Sequence, residues 1–328
     1  METVAALAGV SAATVSRVVN GSARVSPPVR AAVQCAIERL GYVPNRAARS
    51  LVTRRSDSVA LVVREPVEFG VTDPYLSKMI IASSQCAVRT GRQLVVMIAQ
   101  DDEGHDSVTD YVRAGHVDGV VLISVHADDP LPQQLRRAGV PLVICGRPAT
   151  HLRGFCSVDV DNLSGSRMAA GRLLERGRRT VATIAGPTDM TASLDRLQGF
   201  RATLREAGLE PELVAFGDYT RQSGERAMRD LLQRSPGLDG VFVASDLMAV
   251  GALRALRSTG RRVPQDVALV GFDDVEMAEH TDPPLTTVRQ PVAEQARVLM
   301  RCLARQIAGG GPPEPVVLPP TLVVRRSG

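Results

Sequence analysis

Residues 4–20 read VAALAGVSAATVSRVVN, and this stretch decides the fold of the first part of the chain. Its apolar residues recur with a helical period as far as Gly9, which predicts a short amphipathic helix that ends at this glycine. Ser11 then occupies an N-cap position ahead of a second predicted helix over residues 12–20. The glycine-containing turn that joins them predicts a helix-turn-helix.

The second predicted helix carries one stripe of small polar side chains, because its valines can face inward. A bulky or acidic stripe would resist entry into the major groove of DNA, whereas this one is compact and ends in a guanidinium group. We therefore expect this helix to read bases. The stripe consists of Ala12, Ala13, Ser16, Arg17 and Asn20.

A third helix is predicted after Ser26, with Pro27 in its first turn and Gly41 at its end. Residues 44–55 follow as a single short segment that Asn45 could cap as a helix. Such a segment is shorter than the roughly 12–15 residues that an isolated helix needs in water. We expect it to be helical only when other parts of a complex hold it, which makes it a candidate switch.

Charge is distributed unevenly along the chain. Residues 1–55 hold eight arginines and two glutamates, a net charge of +6, whereas the remaining residues carry −2 of the overall +4. A basic head on a slightly acidic body is typical of nucleic-acid-binding proteins. An incidentally basic surface is the alternative on charge alone.

Composition and motifs exclude several classes of protein. The 328 residues contain no apolar run long enough for a membrane span, and residues 1–6 lack the pattern of a secretory signal. Five scattered cysteines without a CxxC pair indicate a reducing cytoplasm, with neither a disulfide framework nor a metal site. Nucleotide-binding, hydrolase and metal motifs are lacking, so we expect neither an enzyme nor a cofactor.

From about residue 58 onward, short apolar runs alternate with stretches of helical length. This alternation predicts an α/β fold with parallel sheets covered by helices on both faces. Some 11 or 12 strands are too many for one small sheet, so we expect two similar halves. Ligands of such folds bind outside the carboxyl ends of the strands.

Polar residues that directly follow predicted strands are therefore candidate ligand contacts. An arginine, several carboxylates and a tyrosine facing a cleft suit a small polar or polyhydroxylated ligand. Helix capping is the alternative role, and we expect it for Asp161 and Asp246 and consider it for Asp274. The candidate segments are Asp73-Pro74-Tyr75, Gly146-Arg147, Thr188 to Arg196, Asp218-Tyr219, Ser245-Asp246 and Phe272-Asp273-Asp274.

The head resembles the opening of the lac/galactose-repressor family without gaps. The resemblance is carried by residues 4–20, by Arg24-Val25-Ser26 and by residues 40–51. It implies that Leu51 is a wedge inserted into the minor groove of the operator, with a core leucine as the alternative. It implies base contacts by Ala12, Ala13 and Arg17, phosphate contacts by Thr14, Ser16 and Asn20, and further DNA contacts by Asn45 and Arg49.

The body resembles the same family throughout, most strongly over residues 262–274 and 283–291. The resemblance implies a periplasmic-binding-protein-like core of two subdomains, joined by crossovers near 158–161, near 284–290 and beyond 315. Arg196 and Asp273 match the family's regular effector contacts, and Tyr75 and Tyr219 match positions that stack on the ligand. Further implied or candidate effector residues are Asp73, Arg147, Met190, Ala192, Ser193 and Ser245.

Three departures from the family pattern bear on function. Gly146 stands where many members have a sugar-binding aspartate, and Met190 and Ala192 stand where a purine-responsive member has an arginine and a threonine. Purine sensing is thereby disfavoured. Few residues precede the first helix, so either the natural start lies upstream or this helix is weakly capped.

The expected domains are a helix-turn-helix over 1–43, a hinge helix and linker over 44–56, and an effector-binding and dimerisation core over 57–328. Subdomain one is expected at about 57–158 plus 288–314, and subdomain two at about 161–284 plus 315–328. We expect a cytoplasmic homodimeric repressor that binds a pseudo-palindromic operator in double-stranded DNA under the control of an effector, most simply a sugar. A nucleoside or a phosphorylated metabolite is the alternative effector, and a secreted solute-binding protein is the alternative class.

Overall fold

The computed structural model describes residues 1–19, 24–42, 55–65, 73–149, 152 and 154–328. The chain divides into two compact units, Met1–Asp57 and Ser58–Gly328.

The first unit contains three helices around a small core. Gly9 and Gly41 end helices in the left-handed conformation, at φ of 65° and 56°. The Ser11 hydroxyl accepts the Thr14 N–H at 3.2 Å and so caps the second helix. The helices are α1 (Glu2–Ala8), α2 (Ala12–Val19) and α3 (Pro27–Leu40).

The core of this unit is made of small side chains. Leu7 and Leu40, which belong to the apolar pattern of the sequence, are 43% and 42% exposed. Short helices that cross closely leave room mainly for valine and alanine between them. The buried residues are Val4, Ala5, Val15, Val18, Val33 and Ala36.

The second unit contains two six-stranded sheets. The first sheet has the order β11-β5-β4-β3-β1-β2, and all its neighbouring strands are parallel. Its central strands are buried along their whole length, as parallel strands between two helical layers are. The strands are β1 (Ser58–Val63), β2 (Gln93–Ile98), β3 (Val120–Ile123), β4 (Leu142–Cys145), β5 (Cys156–Val160) and β11 (Val316–Leu318).

The second sheet has the order β12-β10-β9-β8-β6-β7, with only the edge strand β12 antiparallel to its neighbour. The α/β fold with two parallel-sheet halves is thereby confirmed. The strands are β6 (Val181–Ala185), β7 (Val214–Phe216), β8 (Gly240–Val243), β9 (Ala268–Asp273), β10 (Thr286–Arg289) and β12 (Thr321–Val323).

Helices cover both faces of each sheet, and each sheet with its helices forms one subdomain. Apolar clusters lie on the two faces of the first sheet and on the two faces of the second. The helices of subdomain one are α4 (Pro74–Arg89), α5 (Asp102–Arg113), α6 (Leu131–Arg137) and α12 (Val292–Ile307). Those of subdomain two are α7 (Asn162–Glu175), α8 (Thr191–Glu206), α9 (Arg221–Arg234), α10 (Asp246–Ser258) and α11 (Met277–His280).

The chain crosses between the subdomains after β5, after β10 and after β11. Two boundaries differ from the expected ones. Residues 286–289 pair within the second sheet, and residues 316–318 pair with β5 in the first sheet. The last crossover therefore lies between 318 and 321, where two prolines interrupt the strand pairing; this is beyond 315 as expected, but residues 316–318 belong to subdomain one.

Candidate functional site

A cavity lies between the two subdomains, at the carboxyl ends of their strands. Loops that follow β1, β3 and β4 line it from subdomain one, and loops that follow β6, β8 and β9 line it from subdomain two. Eight of the predicted effector residues line the cavity, as does Ala192. These eight are Asp73, Tyr75, Arg147, Met190, Arg196, Tyr219, Ser245 and Asp273.

Arg196, on α8, is the cation at the bottom of the cavity and is 6% exposed. Its Nε donates to Oδ1 of Asn162 at 2.8 Å, and its Nη1 donates to the carbonyl of Ala244 at 2.6 Å. The guanidinium carbon lies 3.7 Å from the ring centroid of Phe272. Because an amide, a carbonyl and an aromatic face hold the guanidinium, it is placed before any ligand arrives.

Asp273 ends β9 and faces this arginine. Its Oδ1 lies 3.7 Å from Nη1 of Arg196 and accepts a hydrogen bond from Nε2 of Gln290 at 2.7 Å. Burial raises the pKa of Asp273 to about 6, although Arg196 opposes this shift. Its φ of 114° is unusual for a residue other than glycine, and such strain is common where a side chain must point into a site.

Two further carboxyl groups line the cavity with raised pKa values. Burial and the charge of Asp273 raise the pKa of Asp73 to about 7, and burial raises that of Asp159 to about 6. Oδ1 of Asp159 accepts a hydrogen bond from Nδ2 of Asn162 at 3.1 Å. Carboxyl groups that titrate near neutral pH can accept or donate hydrogen bonds, which suits hydroxyl-bearing ligands.

The two predicted stacking residues come from opposite subdomains. Tyr75 lies in the first turn of α4, and its hydroxyl donates to Oε1 of Gln295 at 3.4 Å. The ring of Tyr219 lies against Gly186, where an added Cβ would come within 2.4 Å of it. Burial raises the pKa of both phenols, so both are neutral at physiological pH. Aromatic faces on two walls suit a flat or ring-shaped ligand.

Arg147 lines the cavity, but its guanidinium is occupied. Its Nη2 donates to Oδ1 of Asp195 at 2.6 Å and its Nε donates to Oδ2 at 3.1 Å. The hydroxyl of Thr191 also donates to the carbonyl of Arg147. Arg147 belongs to subdomain one and both partners to subdomain two, so this residue joins the subdomains beside the cavity.

Ser193 does not line the cavity. It is 2% exposed and makes a side-chain hydrogen bond with Tyr219. It lies one turn before Arg196 on the same side of α8, and the ring of Tyr219 lies between its hydroxyl-bearing end and the rest of the cavity lining through that hydrogen bond.

The two expected helix caps, Asp161 and Asp246, have different outcomes. The carboxylate of Asp161 caps α7 by accepting the Ser164 N–H at 2.9 Å, as expected. Asp246 is not a cap, because Ser245 caps α10 through the Met248 N–H at 3.3 Å. Asp246 is fully buried and instead joins α10 to β10, since its Oδ1 accepts the Thr287 hydroxyl at 2.6 Å.

Sequence reasoning did not select several polar residues of the cavity wall. Gln290 lies within residues 283–291, which carry the family resemblance, and Asn162 opens α7 directly after the predicted cap Asp161. Glu65 follows β1 and could have been found as a polar residue after a strand. Gln295 lies inside α12 and carries no such signal. The cavity residues missed are Glu65, Asp159, Asn162, Gln290 and Gln295.

The predicted DNA-contacting residues fall into two groups. Ala12, Ala13 and Arg17 are exposed on one side of α2, and Thr14 and Ser16 are half-buried. This arrangement agrees with an outward stripe on α2. Asn20, Asn45, Arg49 and Leu51 lie outside the described residues.

Among the described residues, no single helix is long and apolar enough to cross a membrane, although α1 and α2 together, bent by 98°, reach that length and composition. Within the same part of the chain, no group of three or more His, Cys, Asp or Glu side chains could hold a metal ion.

A helix-turn-helix unit and a two-subdomain ligand-binding core in one chain define a ligand-responsive transcriptional regulator. Residues 1–45 match the family described as "Bacterial regulatory proteins, lacI family", and residues 170–328 match "Periplasmic binding protein-like domain". The chain is 51% identical to the HTH-type transcriptional regulator CelR of Thermobifida fusca, over 100% of this chain and 98% of CelR. It therefore belongs to the LacI family of DNA-binding transcriptional regulators.

Two solved structures are similar over nearly the whole chain. A CelR–cellobiose complex is 48% identical with a TM-score of 0.80, covering 100% of this chain and 99% of the other. A lac repressor dimer bound to operator and the anti-inducer ONPF is 27% identical with a TM-score of 0.86, covering 99% of this chain and 97% of the other.

Proposed function

We propose that this regulator is a repressor whose operator affinity is controlled by a sugar bound in the cavity, and that this sugar is a β-linked glucose disaccharide such as cellobiose. The observation that carries the proposal is the fixed polar set around Arg196, Asn162 and Asp273 at the bottom of the cavity. Guanidinium, amide and carboxylate groups held in place are what a sugar's hydroxyl groups require. The cellobiose complex of CelR supports the choice of disaccharide.

The charge of the cavity favours a neutral ligand. Four carboxyl groups line it against two guanidinium groups among the described residues. Both guanidinium charges are already opposed by carboxylates, Arg196 by Asp273 and Arg147 by Asp195. A phosphorylated metabolite would bring negative charge next to carboxylates without a free cation to meet it, so this alternative is disfavoured.

A nucleoside is the remaining alternative effector. Met190 and Ala192 line the cavity, and neither can form hydrogen bonds with a base through its side chain in the way that arginine and threonine do. The family resemblance makes these the positions that differ in a purine-responsive member. A sugar requires no such contacts there.

The remaining parts of the proposal follow the family. We place the DNA-binding unit at residues 1–43 and the hinge helix and linker at 44–56, acting as a homodimer on a pseudo-palindromic operator in the cytoplasm. A regulatory role, not an enzymatic one, accounts for the helix-turn-helix unit. The lac repressor dimer bound to operator supports this arrangement.

Isothermal titration of the full chain with cellobiose, glucose, uridine and glucose 6-phosphate tests the effector. We expect micromolar or tighter binding of cellobiose and at least tenfold weaker binding of the other three. Preferential binding of uridine or of the phosphorylated sugar would overturn the assignment. Selection of operator DNA from a random library, repeated with cellobiose, then gives the sign of control.

A further inference from the structure

Lys78 is the only lysine in the chain, against 38 arginines. It lies one turn after Tyr75 on α4, and the first turn of this helix lines the cavity. Its Nζ donates to the main-chain carbonyl of Asp274 at 2.7 Å. Since α4 belongs to subdomain one and Asp274 to subdomain two, this hydrogen bond joins the subdomains next to the effector-contacting turn.

The Asp273-Asp274 turn that receives this bond is strained. Both residues have positive φ, 114° and 54°, which residues other than glycine rarely adopt. Their carboxylates are held on different partners. The Asp273 carboxylate accepts a hydrogen bond from Gln290 at 2.7 Å. The Asp274 carboxylate accepts one from Arg289 at 2.6 Å and forms an ion pair with Arg325 at 2.8 Å. Surrounding contacts must maintain such a conformation, and Lys78 supplies one of them from the other subdomain.

An ammonium group suits the carbonyl of Asp274. A main-chain carbonyl needs a single donor, and an ammonium group is a compact point charge with rotatable donors. The carboxylate of Asp274 is contacted by guanidinium groups instead, with Nε of Arg289 at its Oδ2 and Nη1 of Arg325 at its Oδ1.

We infer that Lys78 is the positioning residue that couples effector binding to the relative position of the two subdomains. With its bond formed, the turn holds Asp273 toward Arg196 and the cavity. With the bond broken, the turn can relax, and the Asp273 side chain is no longer held toward Arg196. The inference rests on the proposed function, in that the effector is taken to be a sugar bound by Asp273.

The charge of Lys78 also acts on Asp273. Burial raises the pKa of Asp273 to about 6, while Arg196, Gln290 and Lys78 oppose the rise. Removing the ammonium group should therefore raise this pKa further, so that Asp273 becomes neutral at higher pH. The charged and titratable groups that influence or face Asp273 are Arg196, Lys78, Asp73, Asp246, Tyr75 and Tyr219.

The test compares Lys78→Met, Lys78→Arg and the control Gln85→Met, an exposed position seven residues along the same helix. Cellobiose affinity is measured by calorimetry between pH 5 and pH 8. Lys78→Met should weaken cellobiose binding about tenfold. The fall in affinity at acidic pH, caused by protonation of Asp273, should begin at a higher pH in this variant, while Gln85→Met should change neither the affinity nor its pH dependence. Lys78→Arg should keep the pH profile of the wild type with intermediate affinity, because charge remains but geometry changes.

Hydrogen exchange in the ligand-free protein provides a readout that does not depend on the effector. The amides of residues 273–275 should exchange about tenfold faster in Lys78→Met than in Gln85→Met, at an unchanged melting temperature. Wild-type protein that binds no sugar would refute the proposed function alone. Wild-type affinity and exchange rates in Lys78→Met would overturn the coupling role.

Discussion

Nδ1 of His126 lies 2.7 Å from Oδ2 of Asp189, and this pair joins the two subdomains at the cavity. The Ala127 N–H also donates to the carbonyl of Asp189 at 2.8 Å. The other ring nitrogen of His126 faces Glu65 at 3.7 Å. Glu65 and Asp189 together raise the pKa of His126 to about 9 from its ordinary 6.5, against the effect of burial.

This pair predicts that closure of the subdomains takes up a proton. The pKa of His126 is raised when the pair is formed. The stabilisation that the pair gives to the closed arrangement is therefore fully present below pH 6.5 and is lost as the pH rises through 9. If cellobiose binds the closed form, its affinity should fall across this range. Binding that forms the pair at pH 7.5 should take up a proton, measurable by calorimetry in buffers of different ionisation enthalpy.

His126→Gln should abolish this proton uptake, and Asp189→Asn should reduce it. His116→Gln is the matched control, because His116 is an exposed residue that packs against Tyr111 in subdomain one. Unchanged proton uptake in His126→Gln would contradict the role of this residue.

Opposite effects on stability are predicted for two helical glycines. An added Cβ at Gly251 in α10 would lie 2.0 Å from the carbonyl oxygen of Arg221, where α9 and α10 cross. Gly251→Ala should therefore destabilise the protein by about 1–3 kcal/mol. Gly171 in α7 has nothing within 4 Å of such a Cβ, so Gly171→Ala should stabilise it by about 0.5–1 kcal/mol.

Urea denaturation of the two variants measures both effects on the same background. Stabilisation by Gly251→Ala would show that the two helices can separate without cost, and would refute the close crossing.

The sequence was most informative where one residue type decides a local structure. Gly9 and Gly41 end helices, and the apolar runs after residue 58 became buried parallel strands. Three-residue strands such as β11 were not predicted, because so short a run has no recognisable periodicity.

Residues of the cavity were predictable when they followed a strand directly. Gln295 was not predictable, because it lies inside α12 and not after a strand. This helix belongs to subdomain one and follows a strand of subdomain two. Asp246 was assigned to capping because serine and aspartate are adjacent there and both suit an N-cap. Both are buried, and only their hydrogen bonds show that the serine caps α10 while the aspartate binds Thr287 on β10.

Arg17 on α2 is predicted to read a base. It is exposed, and it lies on the same side of the helix as Ala12 and Ala13. Arg17→Ala should weaken binding to the selected operator by about 1–3 kcal/mol and relax base preference at one position. Gel-shift titration on operator and on random DNA separates a contact with a base from a contact with phosphate. An equal loss on both DNAs would mean that Arg17 contacts only phosphate.

Arg196 and Asn162 are predicted to act as one unit in effector binding. Arg196→Ala removes the guanidinium group that faces the cavity and leaves Asp273 buried without that cation. It should weaken cellobiose binding by at least about 100-fold, since hydrogen bonds to charged groups are worth about 1.5–3 kcal/mol each. Asn162→Ala should weaken it about tenfold, because Arg196 keeps the Ala244 carbonyl and the Phe272 ring as partners.

The matched control for this pair is Arg201→Ala, on the same helix. Arg201 forms an exposed ion pair with Glu212 at 3.3 Å, away from the cavity, so its loss should change affinity less than twofold. In a double-mutant cycle, the losses from Arg196→Ala and Asn162→Ala should sum to more than the loss in the double variant, since Asn162 acts by holding Arg196. Additive losses would show that Asn162 contacts the sugar independently of Arg196.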